Sequence, residues 1–470
     1  MQELDSNDYS QTIRGQGQSM MISPSISQKL AQFFCTLRFE DLPDNLVYQV
    51  KTFFLDWLGS AVAGVSQPPT QMMLSLANDM KGAEEATIIP NNSRHLPLVA
   101  ALVNGASSHV VEMDDLHRES ILHPAASILP AVFAAGEKEH VSGCDLILGI
   151  LTGYEIGIRT ALAAGKSHYK YWHTTATCGT FGAAAGAAKI LGLDMEPFVW
   201  ALGSAGTQSS GLWEFLTEGA MSKQLHPGKS SMNGLMAAML AKKGFTGASY
   251  IFEGKKGFLK ATSADYNLGV LTDGLGDTFH TARNSLKYYA SCGHTHSAIK
   301  AALKAWREVN LDLATIRSIT VYIYQEALDL LEDVEAHTPY LAKFNLPFCV
   351  ATALNFGHVD LDDFTTDRLT HSEILRLMGA ISVKGDPELT RLYPQKWPTR
   401  VEIELTNGRR YSGYCEYPKG DPENPFSEKE LIQKFNKLCG KIITKHQKDR
   451  IVELVLNLEK IDDVANIFQG

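Results

Sequence analysis

Imidazole titrates near neutrality, and carboxylates or ammonium groups beside it can tune its proton or hold an anionic substrate. Four stretches of this sequence bring such groups together. Glu112, Asp114, Asp115, His117 and His123 crowd between the apolar runs Leu98 to Val110 and Ile128 to Gly136, and a polar cluster between core segments normally faces a cleft. His173 stands immediately ahead of a helical run of small residues, near free N–H groups that favour anions. Lys223, His226 and Lys229 precede another apolar helical run, and Lys287, Cys292, His294 and His296 share the fourth stretch. Together these groups suit proton transfer beside a bound anion.

Other chemistries fit less well. Asp114, Asp115, His117 and His123, or His294 and His296, offer metal ligands, but neither H-E-x-x-H nor a paired-cysteine motif occurs, so no metal is expected. A metal-dependent hydrolase built on Asp114, Asp115 and His117 would lose activity on chelation, whereas a capped, solvated helix end accounts for that run more simply. No G-x-S-x-G elbow marks a serine hydrolase. The run Gly182 to Ala188 matches neither nucleotide-binding glycine pattern, so it reads as close helix packing and no cofactor is expected.

The elements that must position these residues are mostly helical up to about Gly269. A serine precedes the helical stretch Ser25 to Phe34, and Pro43 opens Leu42 to Leu58, where its missing N–H costs little. Leu98 to Val110, Ile128 to Gly136, Leu146 to Ala164, Thr180 to Leu191 and Gly234 to Lys242 are apolar all round, as in the interior of a large helical body. The pattern changes after about Asp277. Ile316 to Tyr324 alternates like a strand, and Arg400 to Leu405 with Arg409 to Tyr414 flanks Asn407-Gly408, a strong hairpin signal. Ser427 to Glu430 is a capping box, and Lys448 to Phe468 reads as helix again. The expected fold is mainly α: a large helical domain formed by both chain ends (23–279 and 413–470) with a smaller α+β lid inserted at 280–412, after a disordered tail at 1–22.

The 470 residues carry 43 Lys and Arg against 52 Asp and Glu, a net charge of −9 that argues against nucleic acid or an anionic membrane as partner. Seven scattered cysteines without a C-x-x-C pair read as reduced thiols in the cytoplasm. Apolar runs are broken by Glu, Lys, His or Gly before reaching membrane-spanning length, and the polar, acid-containing first 22 residues fit neither a secretory nor a transit peptide.

At these stretches the sequence resembles the MmgE/PrpD family, which includes 2-methylcitrate dehydratase, cis-aconitate decarboxylase and iminodisuccinate epimerase. The likeness runs from about residue 25 to 465. It is carried by E-M-D-D-x-H…L-H-P-A-A-S-I-L-P-A from Glu112, W-H-T-T-A-T-C-G-T-F-G-A-A-A from Trp172, K-x-L-H-P-G at Lys223 and the Lys287 segment. E-M-D-D-L-H, in place of a D-F-N-D-T-W type run, favours the decarboxylase branch. The resemblance implies Glu112, His123, His173, Lys223 and Lys287 as catalytic residues of a cofactor-free lyase that converts cis-aconitate to itaconate, working as a homodimer. Lys223, Lys287 and His173 would bind carboxylates, His123 would donate the proton and Glu112 would orient an imidazole. Asp115, His117, His226 and Lys229 are further candidates for substrate binding. The lid tyrosine of some decarboxylases has no clear counterpart in register, Tyr324 being the nearest. The same set of groups would serve cis/trans-aconitate isomerisation, dehydration of 2-methylcitrate or epimerisation, and an inactive carboxylate-binding dimer is the non-enzymatic alternative.

Overall fold

The computed structural model describes residues 23–90, 93–307 and 312–468. The tail expected at 1–22 lies outside the described residues. The protein is mainly helical, with one large helical body to which both ends of the chain contribute. Ser25 caps the Ile26–Thr36 helix through a capping box, and Pro43 precedes the Asp44–Gly64 helix. The apolar runs form helices at Pro97–Val110, Pro124–Glu139, Gly143–Tyr169, Thr174–Ile190 and Ser222–Lys242, each buried over most of its circumference. Gly143–Tyr169 is long and apolar enough to cross a membrane, but 94% of its most apolar stretch is packed inside the protein.

Small residues set how closely these helices approach. A Cβ on Gly182 would lie 2.7 Å from the carbonyl oxygen of Gly153, and one on Gly186 2.8 Å from that of Gly149, so Gly143–Tyr169 and Thr174–Ile190 meet almost backbone to backbone. Pro97–Val110 and Ser222–Lys242 cross in the same way at Gly105 and Gly228. That second crossing brings the first turns of Ser222–Lys242, with Lys223 and His226, to the end of the helix that leads into Glu112.

The α+β part holds a four-stranded mixed sheet in the order Ile381–Gly385, Ile316–Ile323, Thr399–Leu405, Arg410–Cys415. The first pair is parallel and the others are antiparallel. Gly408, at φ 82°, turns the last hairpin as the Asn-Gly pair anticipates. The His296–Arg307 and Leu346–Phe356 helices share a second apolar core with this sheet. Val110, Val111, Met113, Leu116 and Ile121 also belong to that core, although the helices on either side of them belong to the first. Residues 110–121 are therefore the seam between the two cores.

Two local expectations need correction, and one element is new. Lys223, His226 and Lys229 lie within the Ser222–Lys242 helix rather than before it, with Pro227 inside the helix. The helix expected to run to Phe468 is Lys445–Leu456, followed by 3-10 turns at Leu458–Lys460 and Val464–Asn466. Tertiary contacts win there, since Ile461 and Val141 accept backbone hydrogen bonds from Gly143 and Val464 and pull the chain against the body. A short hairpin, Ala86–Ile88 with Ser93–His95, was not anticipated, its strands being too brief to show alternation.

At the Gly228 crossing a methyl group has nowhere to go, whereas Gly379 ends an exposed helix with open space around it. Gly228→Ala should lower the unfolding free energy by about 1–3 kcal/mol. Gly379→Ala should be neutral or stabilise by roughly 0.4–1 kcal/mol. Urea denaturation midpoints measure both, and equal midpoints would contradict the close crossing.

Candidate active site

Three helix ends converge at the seam. Pro97–Val110 ends just after His109, while His123 and His173 are the N-cap residues of Pro124–Glu139 and Thr174–Ile190. The N-terminus of Thr174–Ile190 gives the site a positive bias, whereas Pro124–Glu139 opens on a proline and donates its Ala125 amide to Asp115. Glu112 follows the first helix in the left-handed conformation at φ 59°, held by its amide donating to the His109 carbonyl. Such a backbone costs a non-glycine residue roughly 1–3 kcal/mol and persists only where its surroundings hold it.

The Glu112 carboxylate is buried between two lysines. Lys223 bonds one oxygen, Lys287 bonds the other at 3.0 Å, and the Tyr340 hydroxyl donates to the first at 3.3 Å. Burial opposes ionisation of Glu112, yet the two ammonium groups together hold its carboxyl well below the usual carboxylate range. Lys287 is shifted the other way. Burial disfavours its charge, but Glu112 and Asp114 keep its pKa above the ordinary value.

Imidazoles lie alongside. Asp114 accepts from His109 Nδ1 at 2.7 Å and lies 3.5 Å from His123 Nδ1 and 3.9 Å from Lys287. Burial pushes the Asp114 carboxyl up, but His109, His123 and Lys287 bring it down to about 2. His123 Nδ1 is 2.6 Å from the backbone carbonyl of Asp115, which can only accept, so Nδ1 carries the proton and Nε2 the lone pair. His173 Nδ1 meets His226 Nδ1 at 3.1 Å, one donating and the other accepting, and Trp213 and Phe215 pack around the pair. Burial lowers His123 to about 3, His226 to about 4 and His173 well below its ordinary value, so these three rings are neutral at pH 7.

Not every residue picked from the sequence joins this cluster. Asp115 faces inward and accepts from Tyr154, Asn284 and the Ala125 amide, and burial raises its carboxyl to about 7. Its carboxylate is thus occupied by the fold rather than offered to substrate. His117 pairs with Ser120, and its ring lies beside His280. Lys229 bonds Ser210, while His294 stacks on Trp397 and bonds Tyr324. The metal set drawn from Asp114, Asp115, His117 and His123 is therefore split. His109, Asp114 and His123 do lie within 4.8 Å of one another, but the His123 Nδ1 proton points at a carbonyl and Lys287 supplies positive charge at that spot.

His109 and Tyr340 are site residues that the sequence reading did not single out, and Asp114, read there only as part of the acidic cluster, has a defined place beside His109. His109 was legible, being a histidine in the last turn of the helix that leads to Glu112. Tyr340 was not, since 228 positions separate it from its partner. Tyr324 is buried, with its hydroxyl on His294 and its ring stacked on Tyr393. Beyond Tyr340 opens a cavity of about 1000 Å³ whose walls include Met113, Gln224, Lys343, Phe364 and Lys434.

A helical body carrying a charge-paired acid–base cluster at its seam with an α+β part defines a class, and comparison with known proteins assigns it. Residues 28–271 match the MmgE/PrpD N-terminal domain and residues 289–460 the MmgE/PrpD C-terminal domain. The chain belongs to the MmgE/PrpD family. Among curated relatives, "Cis-aconitate decarboxylase-like protein oryM" of Aspergillus oryzae is 28% identical over 94% of this chain and 96% of its own length. "Cis-aconitate decarboxylase" of Aspergillus terreus is 26% identical over 94% and 95%, and "Cis-aconitate decarboxylase" of Homo sapiens is 22% identical over 95% and 94%.

The buried imidazoles bear on acid stability. Burial lowers His117, His123, His294 and His296 to about 3 and His168 and His226 to about 4, whereas histidine in an unfolded chain titrates near 6.5. Between about pH 6.5 and 4 the unfolded chain binds protons that the folded one refuses, so this contribution is complete above 6.5 and is lost as pH falls. Burial also raises Asp115 and Glu137 to about 7 and Asp421 to about 6, which acts in the opposite direction through fewer groups. The thermal midpoint should fall between pH 7.5 and 5.0. A constant or rising midpoint would mean that the imidazoles charge inside the fold.

Proposed function

We propose that this protein is a lyase acting on a small tricarboxylate, and that it decarboxylates cis-aconitate to itaconate without a cofactor. The observation that carries this reading is the Lys223–Glu112–Lys287 bridge beside His123. The names of the relatives support the choice of reaction.

The chemistry asks for little beyond placed charge. In cis-aconitate the bond from the methylene carbon to its carboxylate breaks, releasing CO₂. Its electron pair forms the new methylene double bond, and the old double-bond pair takes a proton at the vinylic carbon. Lys223 and Lys287 neutralise the remaining carboxylates and stabilise the charge that develops between them. His123, with Nδ1 fixed on the Asp115 carbonyl, delivers the proton from Nε2. His173 binds a carboxylate at its helix N-terminus. Glu112 spaces the two ammonium groups and, with Asp114, tunes the charge around His123. The α+β part serves as a lid, and the working unit is a cytoplasmic homodimer, the latter testable by sedimentation.

Within the site two carboxylates face two ammonium groups and the neighbouring His123, His173 and His226 are neutral. An entering trianion unbalances this arrangement and raises the histidine pKa values, so His123 becomes an acid only once substrate is bound. Binding of tricarballylate, a tricarboxylate without the reactive double bond, should take up about one proton near pH 7.5. Calorimetry in two buffers of different ionisation enthalpy measures it, and zero uptake would contradict this charging step.

Proton NMR of the purified protein with cis-aconitate in D₂O tests the reaction itself. Itaconate is the expected product, whereas trans-aconitate or no conversion would refute the decarboxylase reading. His123→Ala should lose about 10²–10⁴-fold in kcat. Lys223→Ala and Lys287→Ala should raise KM as well as slow turnover, and an unchanged KM in both would remove the carboxylate clamp.

A further inference from the structure

Lys343 belongs to neither the proton-transfer set nor the Glu112 bridge, yet it binds the backbone of two of the segments that carry the bridge. It follows the short Pro339–Ala342 helix in the α+β part and is 5% exposed. Its Nζ donates to the carbonyl of Val111 at 2.9 Å and to that of Ala290 at 3.1 Å, and it lies 4.7 Å from the centre of the Phe364 ring. Its own carbonyl accepts from the Cys292 amide at 2.9 Å. Val111 immediately precedes Glu112, Ala290 lies three positions after Lys287, and Tyr340 lies three positions before Lys343. One side chain thus ties together the three segments that bring Glu112, Lys287 and Tyr340 to a common point.

Holding an amine there is costly. The group is held by two carbonyls rather than by a carboxylate, and burial drags its pKa down to about 7 even though Glu112 acts to raise it. If only packing mattered, an apolar side chain of the same length would fill the space without that desolvation penalty. What an apolar chain cannot do is fix two carbonyls from different segments at hydrogen-bonding distance. An amine does so whether or not it carries the extra proton, because the neutral form still has two N–H groups. The bond to Val111 fixes the peptide beside the left-handed Glu112, where the backbone otherwise gains by relaxing.

We propose that Lys343 is a positioning residue that sets the spacing of Glu112, Lys287 and Tyr340 across the seam, and through them the placement of the substrate's carboxylates. Part of this inference rests on the proposed decarboxylation, so its test has one arm that needs turnover and one that does not. Lys343→Met keeps the length and removes both donors, while Lys343→Arg keeps donors and charge. All proteins are assayed well below their thermal midpoints, so that loss of folded protein does not enter. With cis-aconitate, Lys343→Met should lose about 10–100-fold in kcat, the penalty of roughly ångström-scale misplacement. Tricarballylate affinity measured by calorimetry should weaken by about tenfold, and Lys343→Arg should recover most of both losses.

Values for Lys343→Met within twofold of wild type in both assays would overturn the proposal. So would an Lys343→Arg protein as impaired as Lys343→Met, because simple occupancy of the space would then explain the residue. If Lys343→Met does not fold, Lys343→Gln, too short to reach both carbonyls, is read against Lys343→Arg by the same criteria. A wild-type protein that binds tricarballylate but leaves cis-aconitate unchanged refutes the decarboxylase reading alone, and the calorimetric arm still decides the role of Lys343.

Discussion

Everything around the site answers to one constraint: a carboxylate and two ammonium groups share a buried point between two apolar cores. Each of these ions loses several kcal/mol of hydration, and only mutual pairing with good geometry restores it. Lys223 comes from a helix of the large body, Lys287 from the segment leading into the α+β part, and Glu112 from the seam. Their pairing therefore works only if both parts of the molecule hold station. The left-handed turn at Glu112 and the glycine crossing of Pro97–Val110 with Ser222–Lys242 are local sacrifices to that arrangement.

The same constraint shapes the site's chemistry at rest. Because the fixed charges largely cancel, the imidazoles feel burial more than any net field, and His123, His173 and His226 stay neutral. Such a centre responds to the charge of what enters. A neutral molecule of the same shape would leave the rings uncharged, whereas under the proposed mechanism a polyanion adds about one proton, at His123. Selectivity by charge and activation of the acid are then one physical event rather than two.

Much of this was legible in the sequence because it is periodic or local. The all-apolar helices, the Asn-Gly hairpin and the capping box at Ser427 follow from patterns spanning a few residues, and each forms as read. The clustering of Glu112, His123, His173, Lys223 and Lys287 came from the family resemblance, and the geometry brings their segments together. What escaped depends on contacts across long chain separations. Tyr340 and Lys343 reach the seam only because the α+β part folds back over it, and nothing near them in sequence announces the fact. The partners of Asp115 escaped for the converse reason. Beside Asp114 it has the same chemical type, but it points to the opposite side, where Tyr154 and Asn284 claim its oxygens.

Lys434, near the end of the chain, pairs with Asp56 and donates to the carbonyl of Met113, the residue after Glu112. Glu112 is thus surrounded by groups from positions 223, 287 and 340, with its neighbouring peptide pinned from position 434. During synthesis the early helices can pack as they emerge from the ribosome, but the acidic seam has to wait in water for partners made hundreds of residues later. The acid–base centre is consequently among the last features of the molecule to assemble, and a nascent chain stalled before residue 434 holds an unfinished one.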